Sequence, residues 1–330
     1  MNVICAFSSD NRTLYKADIY RVLSLPKGHV VHFRYKKKYV DDNLLQDNAK
    51  LKNEKVAIFF THGNKDENEG NQLTSISVRW ATISHFEIST ETDVFHAYMK
   101  LENFCNVAID SGNSLEKQPP TKFFSKLACT ESSERKNWQS RISEVKDYFP
   151  KITFFYLQGI YKKDKEQFLK YQNNEKSCHY DLIHGDRYIL KISLGNPDAS
   201  ETKIEITDTS EEITINCINP IETSVQFDDY DIPISVKTLQ VMKQASLLTF
   251  RPSDKNNSLG EYATNIELNL KLSLIRPIIF GFFSTLAFWA LLSVKSASSV
   301  MVWPQPWENI LPSLLIFIST SLMFFLFNKK

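Results

Sequence analysis

Glycine is scarce: nine occur in 330 residues, and no two lie closer than seven positions apart. The dinucleotide fingerprint G-x-G-x-x-G and the P-loop G-x-x-x-x-G-K-[ST] both need closer glycines, so neither fits this chain. Cysteine is sparse as well. Its five copies (Cys5, Cys105, Cys129, Cys178, Cys217) are odd in number and form no C-x-x-C pair. That excludes a disulfide framework and a zinc ribbon by their usual signatures. An excess of charge is missing too: 39 basic residues face 38 acidic ones. A nucleic-acid binder defined by bulk basicity is therefore not indicated.

Catalytic motifs are absent in the same way. The chain holds no H-E-x-x-H and no G-x-S-x-G. His29 and His32 are close in sequence, but on a strand they face opposite sides and cannot share a metal. Cys178-His179 and His184-Gly185-Asp186 read as turns, and Asp228-Asp229-Tyr230-Asp231 as a solvated acidic turn before Pro233. No metal, no cofactor and no enzymatic activity are expected. The N-terminus MNVICAFSSD has neither the basic start nor the apolar run of a signal peptide.

What the chain does have is concentrated at its end. Pro277–Val294 is a run of 18 residues without a charge, and Asn309–Asn328 is a run of 20. A helix crossing a hydrocarbon core of about 30 Å needs about 20 mainly apolar residues. Residues 272–330 therefore read as a transmembrane hairpin, with helices at about 277–294 and 309–328. Lys271 and Arg276 flank the first run and Lys329 and Lys330 the second, which places the N-terminal region and the C-terminus in the cytoplasm. Trp303 and Trp307, in the connecting loop, suit the aromatic belt of the outer interface. Gly281, Ser284 and Thr285 in the first helix, and Ser313, Ser319, Thr320 and Ser321 in the second, permit close helix packing and self-association. The expected location is a multi-pass membrane protein with the bilayer as its first partner.

Removing the hairpin leaves 35 positive and 37 negative charges in residues 1–271. That region is mainly β by pattern. Residues 1–108 hold about six short strands rich in β-branched and aromatic residues, and are expected to form a small antiparallel barrel or sandwich. Residues 109–150 are read as a linker, from its Gly, Ser and Pro-Pro content, followed by an amphipathic helix at about 131–148 with Thr130 as N-cap. Residues 151–271 hold about seven strands and suggest an immunoglobulin-like or related sandwich, with an aligned barrel as the alternative. The last of these, Asn265–Ser273, alternates Ile266, Leu268, Leu270 and Leu272 with polar residues. It ends just before the first membrane helix, which would join sheet and membrane tightly.

One constellation suggests binding. As a strand, His32–Tyr39 projects Arg34, Lys36 and Lys38 from one face and Phe33, Tyr35, Lys37 and Tyr39 from the other. A row of cations in a region of near-zero net charge is a local site for a phosphate-bearing ligand, with Tyr35, Tyr39 or Trp80 available for stacking. The competing reading is a lysine-guarded edge strand that resists sheet-to-sheet aggregation. In layout the chain is similar to prokaryotic antiviral effectors that join a β-rich sensing domain to two transmembrane helices. That similarity implies a membrane-anchored sensor or effector, whose β-domains bind a ligand or protein partner and whose hairpin oligomerises or perturbs the membrane. A passive interaction scaffold and a membrane-tethered enzyme are the alternatives.

Overall fold

The structure is a computed structural model. It describes residues 1–46, 51–64, 72–89, 91–110, 122–165, 167–196, 202–223, 225–237, 243–253 and 259–273, then only 278, 281–286, 314, 317 and 318. Among these the chain is mainly β, with three sheets.

The first sheet is built from β1 (Asn2–Ser9), β2 (Val30–Lys36), β3 (Lys55–Asn64), β4 (Gln72–Ser89), β5 (Val94–Phe104), β6 (Val107–Ile109) and β7 (Phe124–Glu131). Its order is β2-β5-β4-β3-β1-β7-β6. The pairing is antiparallel except for β1 and β3, which run parallel. One mixed, seven-stranded sheet, which takes in β7 beyond residue 108, stands where a small antiparallel barrel or sandwich is expected for residues 1–108. It comes close to closing as a barrel. Past β2 a short 3₁₀ turn, Lys37–Tyr39, leads the chain across to β7. There Val40 bridges Phe124, and the Phe123 N–H donates to the Tyr39 carbonyl at 2.7 Å.

Strand β1 shows why its sequence carries no polar alternation. Ile4 and Ala6 face one buried cluster, while Val3, Cys5 and Phe7 face another. With both faces covered, the run VICAF stays apolar throughout.

The largest correction concerns residues 13–24. The β-branched run around Ile19 reads as a strand, but Thr13–Ser24 is a helix, α1. Ala17, Ile19, Tyr20, Val22 and Leu23 are all buried, so no single apolar stripe marks it. A helix covered on several sides loses its amphipathic signature. Tyr20 packs against Phe154, Phe155 and Tyr262, and its hydroxyl donates to the Thr153 carbonyl at 2.8 Å. Helix α1 therefore lies between the first sheet and residues 151–271, and the two share one continuous hydrophobic core.

Arg79 holds the far end of that helix. It is 1% exposed on β4, and its guanidinium donates to the carbonyls of Val22, Leu25 and Glu102 at 2.9, 2.6 and 2.6 Å. The first two belong to the C-terminal turn of α1, where cations are favoured. Phe104 and Tyr156 offer ring faces to the same charge. Burial pulls the Arg79 pKa down to about 10, which still leaves it charged at neutral pH.

A short helix α2 (Asp42–Gln46) follows the crossover. Helix α3 spans Trp138–Val145 rather than 131–148. Thr130 and Glu131 continue the ladder of β7 with β6, so the cap moves to Asn137, which forms a reciprocal capping box with Ser140. Replacing Asn137 with alanine is expected to lower stability by about 1 kcal/mol in chemical unfolding. The expected linker, residues 110–122, lies almost wholly outside the described residues, and strand β7 stands between it and α3.

Residues 151–271 form the expected β-sandwich. A four-stranded sheet contains β8 (Phe154–Lys162), β11 (Arg187–Gly195), β13 (Ile213–Ile215) and β15 (Phe227–Val236). A six-stranded sheet contains β9 (Tyr171–Asn173), β10 (Cys178–Ile183), β12 (Lys203–Asp208), β14 (Ile221–Glu222), β16 (Lys243–Ser253) and β17 (Thr264–Lys271). Two segments expected as turns are strands: Cys178-His179 lies in β10 and Asp228–Asp231 in β15.

The alternation of the last strand holds, with Ile266, Leu268 and Leu270 all buried in β17. This strand sits between β16 and β10, and the Lys271 ammonium pairs with Asp181 at 2.7 Å. Most of the two long apolar runs, with Trp303, Trp307, Ser313 and Thr320, lies outside the described residues. Among the described residues no helix is long and apolar enough to cross a membrane. Those described within the runs include Ile278, Phe282, Phe283, Leu286, Leu314 and Ile318, all exposed. Thr285 donates to the Gly281 carbonyl at 2.7 Å, so this hydroxyl is used within its own helix.

Candidate functional site: a cationic cavity at the open seam

Among the described residues strand β2 has one hydrogen-bonded partner strand, β5, and its other edge faces the seam where the first sheet fails to close. A cavity of about 330 Å³ occupies that seam. The end of β1, the first turns of α1, strand β2 and Phe123 surround it.

The sequence alternation on β2 explains the cavity's two characters. Phe33 and Tyr35 turn inward and are buried, while Arg34 and Lys36 are exposed. Tyr35 donates its hydroxyl to the Phe7 carbonyl at 3.1 Å and ties β2 to β1. Together Phe33 and Tyr35 give the cavity an apolar wall, the Phe7 carbonyl lies beside them, and Arg12, Arg34 and Lys36 supply its cations. The first turn of α1 contributes further positive character. No side chain caps it and it contains no acidic residue, so the positive end of the helix dipole is left uncompensated there. Tyr15 and Tyr39, both half-buried, add aromatic surface.

Among the described residues one acid lines the cavity. Asp18 on α1 is 12% exposed and accepts from Arg21 at 2.8 Å. Burial pushes its carboxyl up to about 6, against the opposing pull of Arg21 and Arg34. Near neutral pH the cavity therefore combines three cations with one carboxylate that is close to taking up a proton.

The structure brings together four of the six residues singled out in the sequence: Arg34, Tyr35, Lys36 and Tyr39. Lys38 sits on the 3₁₀ turn with its ammonium 5.0 Å from the Tyr39 ring centre, outside the cavity lining. Lys37, expected on the opposite face of a continuous strand, is on the same turn and exposed. Tyr35 is a wall, too buried to stack on a ligand. Trp80 is elsewhere altogether: it packs in the cluster on the other face of the sheet, donates to Glu131 at 3.0 Å, and carries the Lys55 ammonium over its ring. The expectation of Trp80 as a stacking platform is thus overturned. A β-bulge at Arg79 is the reason, because it shifts the alternation so that Val78 and Ala81 face the main core and Trp80 faces away.

Arg12, Tyr15, Asp18 and Phe123 are cavity residues that the sequence does not reveal. No apolar stripe on α1 points towards Arg12, Tyr15 or Asp18, because the helix is buried on several sides. A second hollow, of about 460 Å³, lies over β10, β16 and β17 and mixes His179, Lys243 and Glu267 without a run of one charge. Among the described residues, no group of three His, Cys, Asp or Glu side chains is placed to hold a metal ion.

Comparison with known proteins adds little. No family model matches the chain. No curated protein matches it either. Among solved structures, a protein of unknown function from Porphyromonas gingivalis W83 aligns over 28% of this chain and 41% of its own, with 8% identity and a TM-score of 0.22. The periplasmic chaperone SfaE aligns over 28% of this chain and 57% of its own, with 12% identity and a TM-score of 0.20. The chain thus spans about half the length of the structures it matches, and likeness at this level carries no argument about fold or function.

Proposed function

We propose that this protein is a membrane-anchored cytoplasmic sensor or effector that binds a phosphate-bearing ligand in the seam cavity and responds through a C-terminal transmembrane hairpin. The cavity is the observation that carries the reading. Arg12, Arg34 and Lys36 meet there in a region whose overall charge is slightly negative, so the attraction for anions is local. An apolar wall beside the cations lowers the local dielectric and strengthens charge-assisted hydrogen bonds to a phosphate.

The hairpin rests on the two uncharged runs and on the exposure of the apolar residues described within them. β17 ends at Lys271, a few residues before the first run, and it is hydrogen-bonded on both sides. Movement of the sandwich would pass into the membrane segment without a long slack linker. The output we assign is self-association of the hairpin or perturbation of the bilayer, in prokaryotic antiviral defence as the layout implies. The reading is non-enzymatic.

Overproduction in bacteria tests it. The full chain is expected to slow growth and admit an impermeant dye, while residues 1–271 are harmless. Equal tolerance of both chains would favour a passive scaffold and defeat the effector reading.

A further inference from the structure

Arg21 occupies the ground between the cavity and the strand that leads towards the C-terminal segment. One guanidinium nitrogen bonds the Asp18 carboxylate at 2.8 Å. The other side of the same group donates to the carbonyls of Glu261 and Ala263, at 3.3 and 3.4 Å. Those carbonyls belong to the turn Gly260–Tyr262 and to the residue after it, immediately ahead of β17. The turn is not loosely placed. Tyr262 is 1% exposed and packs edge-on against Tyr20 of α1. A single side chain thus bonds an acid lining the cavity on one side and the root of β17 on the other.

We propose that Asp18 and Arg21 form a relay through which occupancy of the seam cavity changes the hold on the turn ahead of β17. This rests on the reading of the cavity as an anion site and adds its regulation.

The physical basis is competition for one guanidinium. With Asp18 ionised, the salt bridge fixes Arg21 in the orientation that also serves the Glu261 and Ala263 carbonyls. An anion entering beside Arg12, Arg34 and Lys36 repels the Asp18 carboxylate and draws on the same cations. Either Asp18 takes up a proton or Arg21 turns towards the new charge, and both outcomes weaken its bonds to the turn. The groups facing Asp18 are Arg21 on its own helix and, from β2, Arg34 and the Tyr35 hydroxyl; Arg12, Tyr15 and Lys36 complete the lining. Acid alone should drive the same change. Burial raises the Asp18 carboxyl to about 6, so the ion pair with Arg21 is intact above that pH and is lost as pH falls through it. The burial itself favours the folded chain at low pH, so the loosening expected in acid is local to the turn and not a global loss of stability.

Amide exchange on the detergent-extracted full chain is the test. Its readout is the Tyr262 and Ala263 amides, which bond the Leu259 and Gly260 carbonyls. After correction for intrinsic chemistry, exchange at these amides should rise about tenfold in the native chain between about pH 7.5 and pH 5. Asp18→Asn and Arg21→Met should show raised exchange at both pH values and no further rise. A native chain flat across this range, or an Asp18→Asn chain that keeps the native response, would overturn the relay.

A second arm uses inorganic pyrophosphate at pH 7.5. At saturating pyrophosphate for each chain, it should raise exchange at the turn in the native chain but not in Arg21→Met. An equal response of the turn in Arg21→Met would also overturn the relay. Failure of pyrophosphate to bind, with the pH response intact, would instead defeat the ligand reading and leave the relay standing.

Discussion

Replacing Arg79 with methionine is expected to destabilise the β-rich region by about 3–5 kcal/mol, a large share of the stability of any domain. The guanidinium serves three carbonyls at once, two buried ones on the last turn of α1 and a partly buried one on β5. Methionine fills most of the volume but donates nothing, so Val22, Leu25 and Glu102 each keep a carbonyl without its charged donor. An unpartnered buried acceptor costs about 1–3 kcal/mol. The damage should not stay local, because α1 is the element shared between the first sheet and the sandwich. Lysine at the same place should recover only part of the loss, since its ammonium is a compact point charge and not a planar fork. Urea unfolding of residues 1–271 measures both. A shift of less than about 1 kcal/mol for Arg79→Met would mean that the helix end is satisfied some other way.

The second large effect concerns ligand binding. Changing Arg34, Lys36 and Lys38 together to glutamate should weaken pyrophosphate binding by about 100-fold or more, since cations that met the anion become repulsive. Stability should change little, because all three side chains are exposed and β2 is an edge strand. The single variants separate the contributions. Arg34→Glu and Lys36→Glu should each cost about tenfold, while Lys38→Glu should cost little because it lies outside the cavity lining. Calorimetric titration distinguishes this from the edge-strand reading of the same lysines. If they only guard the edge, the triple variant would bind as before, since glutamates keep the edge charged.

The outcome at β2 shows what the sequence can reveal and what it cannot. Alternation is a local property, so the outward Arg34 and Lys36 and the inward Phe33 and Tyr35 are legible. Where β2 stops is not. The 3₁₀ turn at Lys37–Tyr39 follows from the crossover to β7, a contact with a strand more than eighty residues later. The same limit applies at Trp80. Its place in a run of alternating residues is visible, yet a bulge one residue earlier sends it to the other side of the sheet. Helix α1 is hidden for a different reason. Ile19, Tyr20, Val22 and Leu23 are buried by two separate partners, which erases the single stripe by which a surface helix is recognised. With α1 reading as a strand, nothing in the sequence sets Arg12 and Asp18 beside Arg34. In the sandwich, by contrast, β17 reads correctly from Ile266, Leu268 and Leu270 because it keeps a strict period of two.

The central claim joins a soluble anion-binding region to a self-associating membrane hairpin, and light scattering of the purified chain tests it most directly. The account predicts that the full chain requires detergent for extraction and has the mass of a multimer after the detergent is subtracted, while residues 1–271 are monomeric in aqueous buffer. A full chain that is soluble without detergent and monomeric would contradict it.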